Sequence, residues 1–142
     1  VAINQTGWAS PGERKPSNPN GSPTILVVDD EQHLLKLYEK ELSEEGYLVR
    51  TATDGEEALR MAQSESPDLV ILDIKLQDRD GLEVLGELRK IRQEVPIILN
   101  SAYSTYKSDF QSWLADAYLV KSPNLDKLKE KIRTLLDLKK SG

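Results

Sequence analysis

Three acids, Asp29, Asp30 and Glu31, stand directly behind the apolar run Thr24 to Val28. Side-by-side carboxylates repel, and at an effective dielectric of about 20 two charges 4 Å apart cost roughly 4 kcal/mol. A helix N-terminus accounts for one or two such acids, because acids in a first turn complement the macrodipole and Asp is a good cap. What decides is whether other charged groups arrive at the same place. Asp73 closes a second apolar run, DLVILD; Ser101 follows a third, PIILN; and Lys121 follows a fourth, AYLV. Clustered carboxylates with no His or Cys beside them are hard oxygen ligands, which suit Mg²⁺ rather than zinc. A carboxylate, a divalent cation, a hydroxyl and an ammonium in one place suit phosphoryl transfer, where charge on the equatorial oxygens needs cations and donors. Asp73 is the candidate nucleophile, since aspartyl phosphate is a known covalent intermediate.

These groups meet only if the strands that carry them lie side by side. From Thr24 onward, apolar runs alternate with helical patterns, the signature of a parallel sheet covered on both faces. Strands are expected near 24–29, 47–52, 68–73, 96–101 and 116–120. The first helix carries Leu34, Tyr38 and Leu42 as its apolar stripe and closes at Gly46. The second opens at DGEE, with Asp54 as cap and Glu57 at the capping-box position, and buries Ala58, Leu59 and Ala62. A third carries Leu82, Leu85 and Leu88. The last starts with Ser122 as cap and Pro123 at its first position, and continues through Leu125, Leu128, Ile132, Leu135 and Leu136. Between the fourth and fifth strands, Tyr106, Phe110 and Trp113 are spaced for a short fourth helix, weakened by Ser and Thr. The expected fold is α/β: a doubly wound, flavodoxin-like five-stranded parallel sheet in the order 2-1-3-4-5. Ligands of such sheets bind at the strands' carboxyl ends, at the switch point between strands 1 and 3. Asp29, Asp30 and Asp73 would share that crevice, with Ser101 and Lys121 on its rim.

Composition narrows the function classes. With 24 acidic and 19 basic residues the net charge is −5, which disfavours nucleic-acid binding by the chain as a whole. There is no cysteine, so disulfides and thiol catalysis are excluded, and no apolar run of about 18 residues exists. A soluble, cytoplasmic protein is the expectation. Residues 1–23 are rich in Pro, Gly, Asn and Ser, lack the apolar core of a signal peptide, and read as a disordered tail or linker. Residues 24–139 form the domain and 140–142 a short tail. His33, the single histidine, has no triad or zinc partner in the sequence. Asp80 and Gly81 read as a turn and helix cap, with Gly81 supplying backbone freedom.

Taken together, VVDDE, ILDIKLQDRDGLEVL, PIILNSAY and DAYLVKSP, in this order at strand ends, resemble the receiver domain of bacterial two-component response regulators, a chemotaxis-regulator-like family. The resemblance covers roughly Thr24 to Lys139. It implies that Asp73 is the phosphoacceptor, that Asp30 binds Mg²⁺ directly and Asp29 largely through water, and that the backbone carbonyl of Lys75 is a further ligand. Ser101 resembles the switch hydroxyl, Lys121 the lysine that pairs with the phosphoryl group, and Tyr118 the aromatic rotamer switch. Ala102 matches the small residue that leaves the acceptor open to its donor. The chain departs from the family at KSP, where Lys is usually followed by Pro with a cis peptide. A cis bond before Ser122 costs about 2.5–4 kcal/mol rather than about 0.5–1, so the isomer of that bond stays open. Gln77 stands where Pro is frequent, and Lys75 and Tyr103 occupy positions that tune phosphoryl lifetime.

The function so implied is a signalling receiver that takes a phosphoryl group from a histidine kinase or histidine phosphotransfer protein onto Asp73 with Mg²⁺. It is not an enzyme in the usual sense, catalysing only its own phosphorylation and dephosphorylation. Phosphorylation would switch a face made by the fourth helix, fifth strand and last helix, read by a downstream protein, with no nucleic acid or membrane bound by this chain. After Leu138 only KKSG remains, so no DNA-binding or enzymatic effector domain is expected within these residues, and the chain is either a single-domain regulator or a piece of a longer protein. Two rivals stay open: a receiver-fold binding module that is not phosphorylated, and a Mg²⁺-dependent phosphatase with an aspartyl nucleophile. Against the phosphatase, those enzymes carry D-x-D, whereas Asp29 and Asp30 are adjacent.

Overall fold

The computed structural model describes residues 21–103 and 114–141. Five parallel strands, β1 (Thr24–Val28), β2 (Leu48–Ala52), β3 (Leu69–Leu72), β4 (Ile97–Ser101) and β5 (Ala117–Val120), lie in the order β2-β1-β3-β4-β5. The helices among the described residues are α1 (Gln32–Glu44), α2 (Gly55–Ser64), α3 (Gly81–Ile91) and α4 (Asp126–Ser141). The fold class and strand order are those expected from the sequence. The expected helix around Tyr106, Phe110 and Trp113 lies outside the described residues, as do residues 1–20 of the expected tail.

Alternation along each strand sends successive side chains to opposite faces. Ile25, Val27, Leu69, Ile71 and Ile98 meet α1 and α4 on one side. Leu26, Val28, Val70, Leu72, Ile97 and Leu99 meet α2 and α3 on the other. The inner strands are buried on both faces, which is why they read as unbroken apolar runs.

Three local expectations need correction. The buried stripe of α1 is Leu35, Tyr38 and Leu42, while Leu34 is only half-buried. Leu35 and Leu34 compete for one face, and the spacing i, i+3, i+7 from Leu35 aims better at the sheet. The last helix begins at Asp126 rather than Pro123. Two short turns precede it: the Ser122 hydroxyl accepts from the Asn124 N–H at 3.2 Å, and Asn124 Oδ1 accepts from the Asp126 N–H at 2.8 Å. Finally, Gly81 does not adopt a left-handed φ. A Cβ there would lie 2.2 Å from the Asp73 carbonyl oxygen and 2.6 Å from Ile74 Cα. Glycine is required by lack of space, so α3 starts against the backbone that carries Asp73. Gly46 does take a positive φ of 97° and ends α1 as expected.

The expected caps of the middle helices are present. Asp54 accepts from the Glu57 N–H at 2.8 Å, and Asp80 accepts from the Leu82 N–H at 2.8 Å. Glu57 reaches back to the Thr53 N–H at 2.9 Å, one residue before the position a standard capping box would use.

Candidate functional site

Parallel register brings the chemistry together. Val28 pairs with Leu72, so Asp29 and Asp73 leave adjacent strands at the same level, and the Asp73 N–H donates to the Val28 carbonyl at 3.0 Å. Ser101 pairs with Val120, and the Lys121 N–H donates to the Ser101 carbonyl at 2.7 Å. Reversal of strand order between β1 and β3 opens the crevice in which the acids stand.

Asp29, Asp30 and Asp73 each present a carboxylate oxygen within 4.8 Å of the others. Asp29 is 2% exposed and Asp73 5%, whereas Asp30 is half-buried. Lys121 Nζ reaches Asp29 Oδ2 at 2.7 Å and Asp73 Oδ2 at 3.1 Å. Asp29 Oδ1 also accepts from the Glu31 N–H at 3.0 Å. Burial pushes the Asp73 carboxyl above the usual carboxylate range, with Asp29 adding to it and Lys121 opposing it. Burial draws the Lys121 ammonium downward, but the Asp29 hydrogen bond and the charges of Asp73 and Asp29 outweigh it and hold Lys121 above its ordinary value. Three carboxylates against one ammonium leave two negative charges uncompensated. A hard divalent cation fits that deficit, and the donors are all oxygens. His33 stays on the surface, 3.5 Å from Glu31.

The other expected site residues form a second layer. Ser101 is completely buried at the end of β4, and its hydroxyl accepts from the Tyr103 N–H at 3.1 Å. Tyr118 is half-buried against the α2/α3 side, and its hydroxyl donates to the Tyr103 carbonyl at 2.6 Å. One peptide residue therefore joins both switch candidates. Ala102 is exposed beside them. Lys75 is exposed, and its backbone pairs with that of Asp80 in the loop after β3. All described peptide bonds are trans, including Lys121–Ser122, and Lys121 still reaches both acids.

Two features escaped the sequence reading. Asn100 Nδ2 donates to the Tyr38 hydroxyl at 2.9 Å, a buried polar pair tying β4 to α1. The polar Asn inside PIILNS was its only trace. The Asp78 carboxylate accepts from the Gly55 N–H at 2.8 Å and the Glu56 N–H at 3.1 Å. Neither partner is near in sequence, so no local pattern announces that contact.

Against known proteins, the model of the response regulator receiver domain matches residues 25–133. The chain belongs to the response regulator receiver family. Among solved structures, the response regulator TrrA of Thermotoga maritima, in complex with Mg²⁺–BeF, is 54% identical with a TM-score of 0.78, over 80% of this chain and 98% of that one. The same regulator in complex with the histidine kinase ThkA gives a TM-score of 0.76. A CheY-like receiver domain from Methanospirillum hungatei is 35% identical with a TM-score of 0.81, covering 85% of this chain and 99% of that one. Among curated proteins, the transcriptional regulatory protein PrrA of Mycobacterium tuberculosis is 41% identical over 118 residues, 81% of this chain and 50% of PrrA. The chain spans about half the length, or less, of the curated relatives it matches. This receiver is thus a phosphorylation-activated signalling domain whose acid cluster could hold a metal ion, and its family is generally not one of classical enzymes. No helix of the described residues is long and apolar enough to cross a membrane.

Proposed function

We propose that Asp73 accepts a phosphoryl group from a phosphohistidine of a histidine kinase or phosphotransfer protein. The observation that carries this reading is the place of Asp73: buried, with oxygens of Asp29 and Asp30 within 4.8 Å and the Lys121 ammonium at 3.1 Å. An Asp73 oxygen attacks phosphorus, a P–O bond forms, the P–N bond to the donor breaks, and the imidazole leaves with the bonding pair. Asp29, Asp30, Asp73 and the Lys75 carbonyl would hold Mg²⁺, which when bound neutralises charge on the phosphoryl oxygens. Lys121 exchanges its contact with Asp73 for a phosphoryl oxygen. Ser101 leaves the Tyr103 N–H for another oxygen, and Tyr118 is released from the Tyr103 carbonyl. The face around β5 and α4, with the segment between β4 and β5, changes and is read by a downstream protein.

The kinase donor is supported by the complex of the similar Thermotoga regulator with its kinase. The domain itself is proposed to run over 24–139, to supply the groups for its own phosphorylation and dephosphorylation, to work in the cytoplasm, and to bind no nucleic acid. Adjacent Asp29 and Asp30 and the family match leave the phosphatase reading without support. The trans KSP bond, the main argument for an unphosphorylated module, does not pull Lys121 away from Asp73.

The test is an amide NMR titration with Mg²⁺ and then beryllofluoride, in wild type and Asp73→Asn. Shifts at Ser101, Tyr103 and Tyr118 on adding beryllofluoride, in wild type only, are expected. Mg²⁺ binding without any beryllofluoride response would sink the phosphoacceptor reading.

A further inference from the structure

The loop after β3 carries Lys75 two residues beyond Asp73 and lacks the proline that often stiffens it, with Gln77 in that place. Something else fixes it. The N–H groups at the start of a helix have no intrahelical partners, and in α2 those of Gly55, Glu56 and Glu57 each find a carboxylate oxygen. The Glu57 N–H goes to the Asp54 side chain, and the Ala58 N–H to the Asp54 carbonyl begins the helix ladder. The Gly55 and Glu56 N–H groups go to the two oxygens of Asp78, a residue of the β3–α3 loop. Those bonds, and the favourable field of a helix N-terminus, hold the Asp78 carboxyl below the usual carboxylate range.

Close packing makes the contact specific. A Cβ at Gly55 would lie 2.8 Å from Val84 and 3.2 Å from Arg79, so only glycine lets α2 approach the loop and α3 this tightly. Arg79, next to Asp78, is ion-paired to Glu87 and Glu83 on α3. The backbones of Lys75 and Asp80 pair in an isolated antiparallel β-bridge, and the Gly81 N–H donates to the Ile74 carbonyl at 2.7 Å. The loop is pinned at its far end by α3 and across its middle by α2.

We propose that Asp78 is a positioning residue for the cation site: by capping α2 from the β3–α3 loop, it holds the Lys75 backbone beside the acid cluster. This rests on the reading of Asp29, Asp30, Asp73 and the Lys75 carbonyl as a Mg²⁺ site. Without Asp78 the loop samples more conformations, and affinity falls in proportion to the lost fraction of competent loop. Nothing in this role requires Asp78 to touch the cation.

The experiment is calorimetric titration of the folded protein with Mg²⁺ at 0.15 M salt, in wild type, Asp78→Ala, Asp78→Asn, Asp54→Ala and Asp30→Asn. Asp54→Ala uncaps the same helix and removes one charge, but has no bond to the loop. Asp78→Ala is expected to bind Mg²⁺ about three- to tenfold more weakly, the loss that one cap's worth of loop order implies, with Asp54→Ala within about twofold of wild type. Asp78→Asn, which keeps one acceptor oxygen, falls between. Amide signals of Lys75 and Leu76 should broaden in Asp78→Ala and not in Asp54→Ala. If Asp30→Asn loses Mg²⁺ while Asp78→Ala matches Asp54→Ala, the cation site stands and the proposal is overturned. If wild type fails to bind Mg²⁺, or Asp30→Asn binds as wild type does, the site reading falls and takes the proposal with it.

Discussion

Replacing Asp73 with asparagine should make the Mg²⁺-free protein more stable, although it removes an ion pair. Lys121 at 3.1 Å favours the Asp73 charge by roughly 5 kcal/mol at an effective dielectric of about 20, and Asp29 and Asp30, each with an oxygen within 4.8 Å, oppose it by roughly 3.5 kcal/mol apiece. The two acids outweigh Lys121 by about 2 kcal/mol, and desolvating a buried carboxylate costs several more. The balance runs against the charge, in accord with burial as the main cause of the raised Asp73 pKa. An isosteric amide keeps the shape and drops the charge, so a gain of about 1–2 kcal/mol, or about 3–8 °C in Tm, is expected at pH 7.

The pH dependence has a definite sign. A carboxyl whose folded pKa lies above its unfolded value contributes stability that is fully present below the unfolded pKa and is lost as pH rises through the folded pKa. Wild type and Asp73→Asn should therefore converge at low pH and separate as pH rises out of the usual carboxylate range. Mg²⁺ acts oppositely: it binds the folded wild type and at 100 times its Kd adds about 2.7 kcal/mol, enough to reverse the order. Thermal melts followed by circular dichroism, in EDTA and in excess Mg²⁺ from pH 4 to 8, read all of this. An Asp73→Asn protein less stable than wild type in EDTA at pH 7, or an advantage that grows on acidification, would refute the balance.

Lys121→Met should raise Mg²⁺ affinity severalfold, by removing a cation that competes for Asp29 and Asp73, yet abolish the beryllofluoride response; calorimetry and NMR check the two halves. Gly81→Ala should cost at least about 1–3 kcal/mol in urea unfolding, because its Cβ would meet the Asp73 carbonyl oxygen at 2.2 Å and force the backbone apart. Tyr118→Phe removes the bond to the Tyr103 carbonyl, worth about 0.5–1.5 kcal/mol, and should strengthen beryllofluoride binding up to about tenfold by weakening the resting arrangement. Combining it with Ser101→Ala should give less than the sum of the two effects on the resting state, since both act on Tyr103.

The fold was legible because parallel strands buried on both faces carry near-continuous apolar runs, and residues 25–28, 69–72 and 97–99 show that mark. The acid cluster was legible because strand ends converge once the order is known. Contacts that depend on tertiary approach were hidden. Asp78 caps a helix whose first-turn residue Glu56 lies 22 residues upstream of it, and DRDG looks like any loop. Gly81 suggested backbone freedom, while its actual reason, a carbonyl oxygen only 2.2 Å from where a Cβ would sit, belongs to another segment. The start of α4 was misread because SPN offers two successive capping residues, and the later, Asn124, bonds the first helical N–H.

A receiver must rearrange one edge without loosening its core, and the distribution of bonds here allows that. Beneath the site, Ile71, Leu72, Ile98 and Leu99 are essentially fully buried and joined by the ladder between β3 and β4. Above it, the contacts proposed to change are replaceable: Lys121 to Asp73, Tyr103 to Ser101, Tyr118 to Tyr103. Each new phosphoryl oxygen offers Lys121 and Ser101 an acceptor at least as strong as the one they leave. Because the Tyr103 N–H and C=O hold the two hydroxyls at once, drawing Ser101 toward the acceptor also disturbs the anchor of Tyr118. The link between the chemistry and the outer face is then one residue of backbone, short enough for the change to be concerted.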